Sequence, residues 1–318
     1  MAVSLSLNRR AGAILDRMSD QASAFGISVS TLTNGTRLVD FGVKAPGGLL
    51  AGKGLSEICL GGLGEVAFLP LDYGDFSLSG VSVAIDGPVL PCLGSQYAGW
   101  KVQRGKFFGM GSGPARALAR TEELYETIRI QDTADSAVLV LESSRLPDEE
   151  VADYVAEKCG VKPDRVSLAV AATRSVAGAV QIAARSVETA MHKLLELDFD
   201  VTKALSGFGV CPIATAAADD LTAIGRTNDC VLYGSEVYLT VSSDDDKIEA
   251  LIDKVPSCAS RDYGQLFREL FKRYDGDFYK IDPFLFSPAK IAITNTASGR
   301  TFRAGRFNAE LLQASLLS

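Results

Sequence analysis

The chain has 318 residues, 47% hydrophobic and 22% charged, with a formal net charge of −7. That length and apolar content can bury a large core and predict two domains or one elaborate one. No basic tract is dense enough to neutralise a run of phosphates, which argues against a nucleic-acid partner, and no apolar run reaches the ~18 residues of a membrane helix. A local basic pocket would still admit an anionic small substrate. Residues 1–25 read as an amphipathic helix with charges throughout, not as a signal peptide, so the cytoplasm is the default expectation.

In chain order, Ile14, Leu15 and Met18 set a helical spacing over residues 8–25. Strands follow at Ile27–Leu32 and Thr36–Phe41, and Asn34-Gly35 between them predicts a hairpin. A glycine-rich stretch from Ala45-Pro-Gly-Gly48 leads into a helix ending near Cys59, which Gly61-Gly-Leu-Gly64 stops. Glu65–Leu69 and Val81–Ile85 read as strands. Residues 121–136 are charged and less apolar, and read as a linker or lobe boundary. Strand Ala137–Leu141, helix Pro147–Cys159, strand Ser167–Ala172 and one long helix Val176–Leu195 come next. The remainder reads as a helix across 215–231, strand Glu236–Val241, helix Lys247–Val255, strand Ala289–Thr294 and a terminal helix from Asn308. This interleaving predicts an α/β (α+β mixed) fold. The expected subunit is two-lobed with mixed sheets, an N-terminal α/β lobe of residues 1–130 and a C-terminal one of 131–318. That boundary is approximate and leaves room for lobes discontinuous in sequence. The hairpins argue against a purely parallel, doubly wound sheet.

Several chemistries drop out. Six cysteines, at 59, 92, 159, 211, 230 and 258, show no CxxC spacing, and His192 is the single histidine. The long, uneven cysteine gaps therefore argue against a zinc site or a dense disulfide framework, and a single histidine removes multi-histidine centres. Acid–base chemistry must rest on carboxylates, Lys, Tyr or water unless His192 serves. Gly61-Gly-Leu-Gly64 follows a helix and precedes a strand, the reverse of a dinucleotide loop, and no GxxxxGK[ST] occurs. Ser243-Asp-Asp-Asp246 lacks the spacing and closing Glu of a calcium loop and reads as a helix N-cap.

Two regions remain. Pro91-Cys-Leu-Gly-Ser-Gln-Tyr-Ala-Gly-Trp100 and Gly109-Met-Gly-Ser-Gly-Pro-Ala-Arg-Ala117 pack glycines, polar side chains and the only Trp into under thirty residues. Glycines permit close backbone approach to a ligand, and Pro114 suits a helix start whose free N–H groups attract an anion or a carbonyl. The plain alternative is a connecting loop. On the helix at 176–195, Val176, Val180, Val187, Met191 and Leu194 form one stripe, with Arg174, Gln181, Arg185, Glu188 and His192 opposite. Arg185 and Glu188 are an i,i+3 pair: either a routine ion pair on a solvated face, or a carboxylate tuned by Arg at a cleft wall. Periodicity leaves both readings open.

Four motifs occur in order: Glu57-Ile-Cys-Leu-Gly-Gly-Leu-Gly64, Ser95-Gln-Tyr-Ala-Gly-Trp100, Gly111-Ser-Gly-Pro-Ala-Arg-Ala117 and Arg185-Ser-Val-Glu188. Together they closely resemble the methenyltetrahydromethanopterin cyclohydrolase family, over nearly the whole chain from Asp40-Phe-Gly-Val-Lys44 to Ala292-Ile-Thr-Asn295. The resemblance implies hydrolysis of an N5,N10-methenyl bridge to a formyl derivative without metal or redox cofactor. It also implies a two-domain α/β subunit with a cleft between the lobes, assembled as a homotrimer. Glu188 is then the base and later acid, and Arg185 sets its orientation and ionisation. Ser95, Gln96 and Tyr97 offer amide and hydroxyl groups to a pterin edge. Trp100 either stacks on a ring or belongs to the core, and Gly111, Ser112 and Gly113 offer backbone N–H groups. The rival readings are a non-enzymatic pterin- or nucleotide-binding protein, and a carboxylate-based amidohydrolase or lyase acting on another heterocycle.

Overall fold

The computed structural model describes residues 5–317. Residues 1–4, which open the predicted amphipathic stretch, and residue 318 lie outside the described residues. Strands occur at β1 Ser28–Thr31, β2 Arg37–Gly42, β3 Gly64–Asp72, β4 Ser77–Asp86, β5 Trp100–Arg104 and β6 Phe107–Ser112. They continue as β7 Ala137–Glu142, β8 Val166–Ala171, β9 Ala204–Pro212, β10 Glu236–Val241, β11 Lys290–Asn295 and β12 Thr301–Gly305. The helices are α1 Leu7–Asp20, α2 Ala22–Phe25, α3 Leu49–Cys59, α4 Ala115–Ala119, α5 Leu124–Ile128 and α6 Glu149–Cys159. After them come α7 Val176–Ala183, α8 Ser186–Glu196, α9 Asp220–Gly234, α10 Asp245–Glu249, α11 Phe267–Arg273 and α12 Ala309–Leu316.

The chain divides into two compact units, each built from two stretches: 1–65 with 90–181, and 66–89 with 182–318. Residues 131–181 go with the first unit because β7 and β8 insert between β2 and β6 in its sheet, ordered β1-β2-β8-β7-β6-β5. There β2, β8 and β7 run parallel, while β1, β6 and β5 are antiparallel to their neighbours. Both faces of this sheet are covered. Leu139, Leu141, Leu168 and Val170 pack with α6, whereas Val138, Val140, Ala169 and Ala171 pack with α1 and α3. Burial on two sides explains why the β7 and β8 sequences are continuously apolar rather than alternating. The Asn34-Gly35 hairpin forms as its sequence predicts, with β1 antiparallel to β2. Gly61 and Gly62 adopt φ of 63° and 68° just after α3, the left-handed conformation that ends a helix.

The second unit carries a sheet ordered β12-β11-β10-β9-β4-β3. β10 and β11 have a parallel register, whereas β9 pairs antiparallel with both β10 and β4, and β11 with β12. Helix α8 packs on the β9–β10 face that presents Gly207, Gly209 and Leu239. On the other face Phe208 and Tyr238 pair across the strands, 42% and 43% exposed, with ring centroids 6.1 Å apart.

The structure departs from the sequence reading in four places. The predicted helix at 176–195 is two helices, α7 and α8, broken at Ala184–Arg185. The predicted helix at 247–255 is the short α10 followed by a 3₁₀ turn at Ile252–Lys254. Strands β5, β6, β9 and β12 were not anticipated, because their glycine-rich or polar edges hide the two-residue alternation. Residues 121–136 hold α5, whose Tyr125 is buried and donates its hydroxyl to the Gly94 carbonyl at 2.8 Å. Those contacts make it part of the first unit's packing and not a free linker.

Candidate active site

The break between α7 and α8 organises the strongest candidate. Arg185 sits at the N-cap of α8 with φ −89° and ψ 4°, its N–H donating to the Ile182 carbonyl at 3.0 Å. Glu188 is consequently in the first turn of α8, where the helix dipole favours a carboxylate. An Nη1 of Arg185 lies 3.7 Å from Oε2 of Glu188. Arg185 is 8% exposed and Glu188 4%, so this is not an ion pair on a solvated face. Burying two charges is costly and adds little net stability, which makes a buried pair at a helix start a candidate for chemistry. Val176, by contrast, is exposed although it belongs to the predicted apolar stripe; it is the first residue of α7, one turn before the buried Val180.

The pair is seated by glycines. A Cβ on Gly209 would lie 2.4 Å from Oγ of Ser186 and 2.9 Å from Cγ2 of Val187, and one on Gly207 would lie 2.6 Å from Cγ1 of Val187. Two glycines spaced by two on β9 face the same way, so the start of α8 rests directly on the strand backbone. Among the described residues Oγ of Ser186 is buried with no hydrogen-bond partner, pressed against Gly209.

The other predicted residues lie in the first unit. Val89–Gln96 winds as a π-helix, a form that often marks functional segments. The Ser95 hydroxyl donates to the Cys59 carbonyl at 2.6 Å, and the Ser95 carbonyl accepts from Gly113 N–H at 2.8 Å. Ser112 Oγ lies 3.5 Å from Cys59 Sγ. Ser95, Ser112 and Gly113 thus meet around the end of α3, with Gln96 buried and Tyr97 half-buried at the exit of the π-helix. Trp100 is 2% exposed within the core and its indole N–H donates to the Tyr154 hydroxyl at 3.3 Å, which matches the core alternative for this residue. Gly111 pairs with Trp100 in the β5–β6 hairpin, where a Cβ would come 3.0 Å from the Trp100 carbonyl oxygen. Sequence reasoning passed over Arg116 and Glu122. The available signal was an arginine inside the apolar run Pro114-Ala-Arg-Ala-Leu118, which is fully buried in the structure.

Among the described residues no group of three or more His, Cys, Asp or Glu side chains is arranged to hold a metal ion. No described helix is long and apolar enough to cross a membrane.

Comparison with known proteins places these motifs. Residues 6–316 match the family described as Cyclohydrolase (MCH). The chain is 47% identical over 317 residues to the methenyltetrahydromethanopterin cyclohydrolase of Methanocaldococcus jannaschii, with 98% of each chain covered. It is 44% identical over 313 residues to the protein of that name from Methanococcoides burtonii, again with 98% of each covered. Against the one from Methylobacillus flagellatus it is 44% identical over 310 residues, covering 98% of this chain and 95% of the relative. With a family match spanning almost the whole chain, and the motifs around Ser95, Gly111 and Arg185 lying inside it, the chain belongs to the methenyltetrahydromethanopterin cyclohydrolase family.

Proposed function

We propose that the protein hydrolyses N5,N10-methenyltetrahydromethanopterin to the N5-formyl derivative in one-carbon metabolism. The observation that carries this reading is the buried Arg185–Glu188 pair at the start of α8. The methenyl carbon, flanked by two nitrogens, is an amidinium-like cation and already electrophilic. It needs an oriented water, an acceptor for that water's proton, and a proton for the departing nitrogen. Glu188 takes one proton as water adds to the carbon and returns it to N10 as the C–N10 bond breaks, while the carbinol hydroxyl releases its own proton to solvent as the formyl C=O forms on N5, so that the cation's charge leaves as H+. Arg185 holds the carboxylate in its ionised form and fixes its direction.

Gln96 and Tyr97 supply amide and hydroxyl groups to the polar edge of the pterin, on a turn held by Ser95 and by Ser112–Gly113. Trp100 and Gly111 brace the hairpin behind that turn. The reaction uses no prosthetic group, and the pterin is substrate only. We place the enzyme in the cytoplasm as a homotrimer, with the exposed Phe208–Tyr238 face as the contact between copies. Light scattering tests the assembly: Phe208→Glu should lower the mass, and an unchanged mass removes that face from the contact. The activity is tested by following the methenyl chromophore after protein is added. Loss of its absorbance is hydrolysis; a spectral shift without loss would make the chain a pterin-binding protein instead.

A further inference from the structure

The π-helix at Val89–Gln96 ends on carbonyls that have no acceptor role within it, as any helix does at its C-terminus. Here three of them are capped from the side. Nη1 of Arg116 donates to the carbonyls of Leu93 at 3.2 Å and Ser95 at 3.0 Å, and the Tyr125 hydroxyl takes the Gly94 carbonyl between them. The rest of the guanidinium is held by Glu122. Nε donates to both carboxylate oxygens at 3.1 and 3.0 Å, and Nη2 to Oε1 at 2.6 Å. The Arg116 cation also lies 5.2 Å from the ring centroid of Tyr97 and 5.4 Å from that of Tyr125. Gly99 makes room for this arrangement: a Cβ there would fall 1.9 Å from Oε1 of Glu122 and 2.6 Å from Cε1 of Tyr97.

We infer that Arg116, clamped by Glu122, is the positioning residue for the substrate-binding turn Ser95–Tyr97, an assignment that rests on that turn touching substrate. A buried ion pair is a poor source of net stability, but a planar fork with five donors can fix two carbonyls and a carboxylate at once. A positive charge at the negative end of a helix favours the same geometry. Lysine, whose three N–H donors sit on one ammonium without the planar fork, cannot reproduce it. In the mechanism proposed above the proton transfer belongs to Arg185 and Glu188, so the clamp is assigned to binding and not to that transfer.

The test compares Tyr125→Phe, Glu122→Gln and Arg116→Lys with Gln96→Ala, reading kcat, KM, the pH–rate profile and Tm. Loss of one carbonyl cap in Tyr125→Phe should raise KM about 5–10-fold, and Arg116→Lys by roughly 10²-fold, from the usual worth of neutral and charge-assisted hydrogen bonds. The acidic limb of the profile should stay where the wild type has it. If Arg116→Lys does not fold, the isosteric Tyr125→Phe and Glu122→Gln decide the matter. Should Gln96→Ala raise KM while both of these keep it within twofold, the clamp is only structural and this inference is overturned. If Gln96→Ala also leaves KM unchanged, the turn does not bind substrate, and the binding role given to it is overturned as well.

Discussion

Replacing Gly209 by alanine should disable the enzyme without touching a reacting group. The new methyl would lie 2.4 Å from Oγ of Ser186 and 2.9 Å from Cγ2 of Val187, where ordinary contact begins near 3.4 Å. Strand β9 is hydrogen-bonded on both sides, to β4 and β10, so the helix must give way. Its first turn has to lift by ~1 Å, and that turn carries Arg185 and Glu188. A misplacement of about 1 Å costs on the order of 10²-fold in rate, and overpacking of this kind costs roughly 1–3 kcal/mol of stability. Hydrolysis of the methenyl chromophore should therefore show kcat down about 10²-fold, with a Tm lowered by a few degrees but a cooperative transition. Adding Ser186→Ala removes the closest atom and leaves Cγ2 of Val187 at 2.9 Å and the residue-186 Cβ at 3.2 Å, a smaller displacement that should restore part of the rate, roughly tenfold, through coupling of neighbouring sites. A Gly209→Ala enzyme with wild-type kcat and Tm would refute the seating of α8 on the strand backbone. So would a double variant no better than the single one.

Glu188→Gln should keep the fold and pterin affinity while kcat falls by about 10²–10⁴, the usual worth of a general base; more than half the wild-type turnover would remove Glu188 from that role. Arg185→Ala takes away the cation that favours the ionised carboxylate, so the acidic limb of the pH–rate profile should move to higher pH; an unmoved limb with weaker binding would make Arg185 a substrate anchor. Burial pushes the Asp229 carboxyl up to about 6, against hydrogen bonds from Ser315 and Phe267 that pull it down. The folded state therefore holds this proton more tightly than the unfolded chain, and the contribution is full below about pH 4 and is lost as pH rises through about 6, by ~3 kcal/mol. Asparagine can keep both bonds without ionising, so the Tm of Asp229→Asn relative to wild type should rise between pH 4 and pH 7; a constant difference would show that Asp229 does not titrate in the fold. Protein dialysed against a strong chelator should hydrolyse the methenyl substrate at its full rate, and activity restored only by stoichiometric metal would defeat the role given to Glu188.

Local chemistry was legible in the sequence wherever the signal is carried by neighbours along the chain. The Asn34-Gly35 hairpin, the stop after Cys59, strand Glu236–Val241 and the helix start at Asn308 each depend on turn geometry, capping or short-range alternation, and each appears where those rules put it. The mixed α/β class followed from the same reading, and the motifs carried the family. What the sequence could not state is how strands distant in the chain pair. Residues 131–181 read as the start of a second lobe, yet β7 and β8 complete the sheet of the first, because parallel pairing with β2 joins segments more than a hundred residues apart. The helical wheel over 176–195 could not distinguish a solvated Arg185–Glu188 pair from a buried one, since periodicity fixes which side chains share a face but not what covers that face. Only tertiary packing broke the helix at Arg185, set Glu188 in a first turn, and pressed that turn onto Gly207 and Gly209. The same holds for Arg116, an unremarked letter in an apolar run until Leu93, Ser95 and Glu122, brought in from either side, turn it into a clamp.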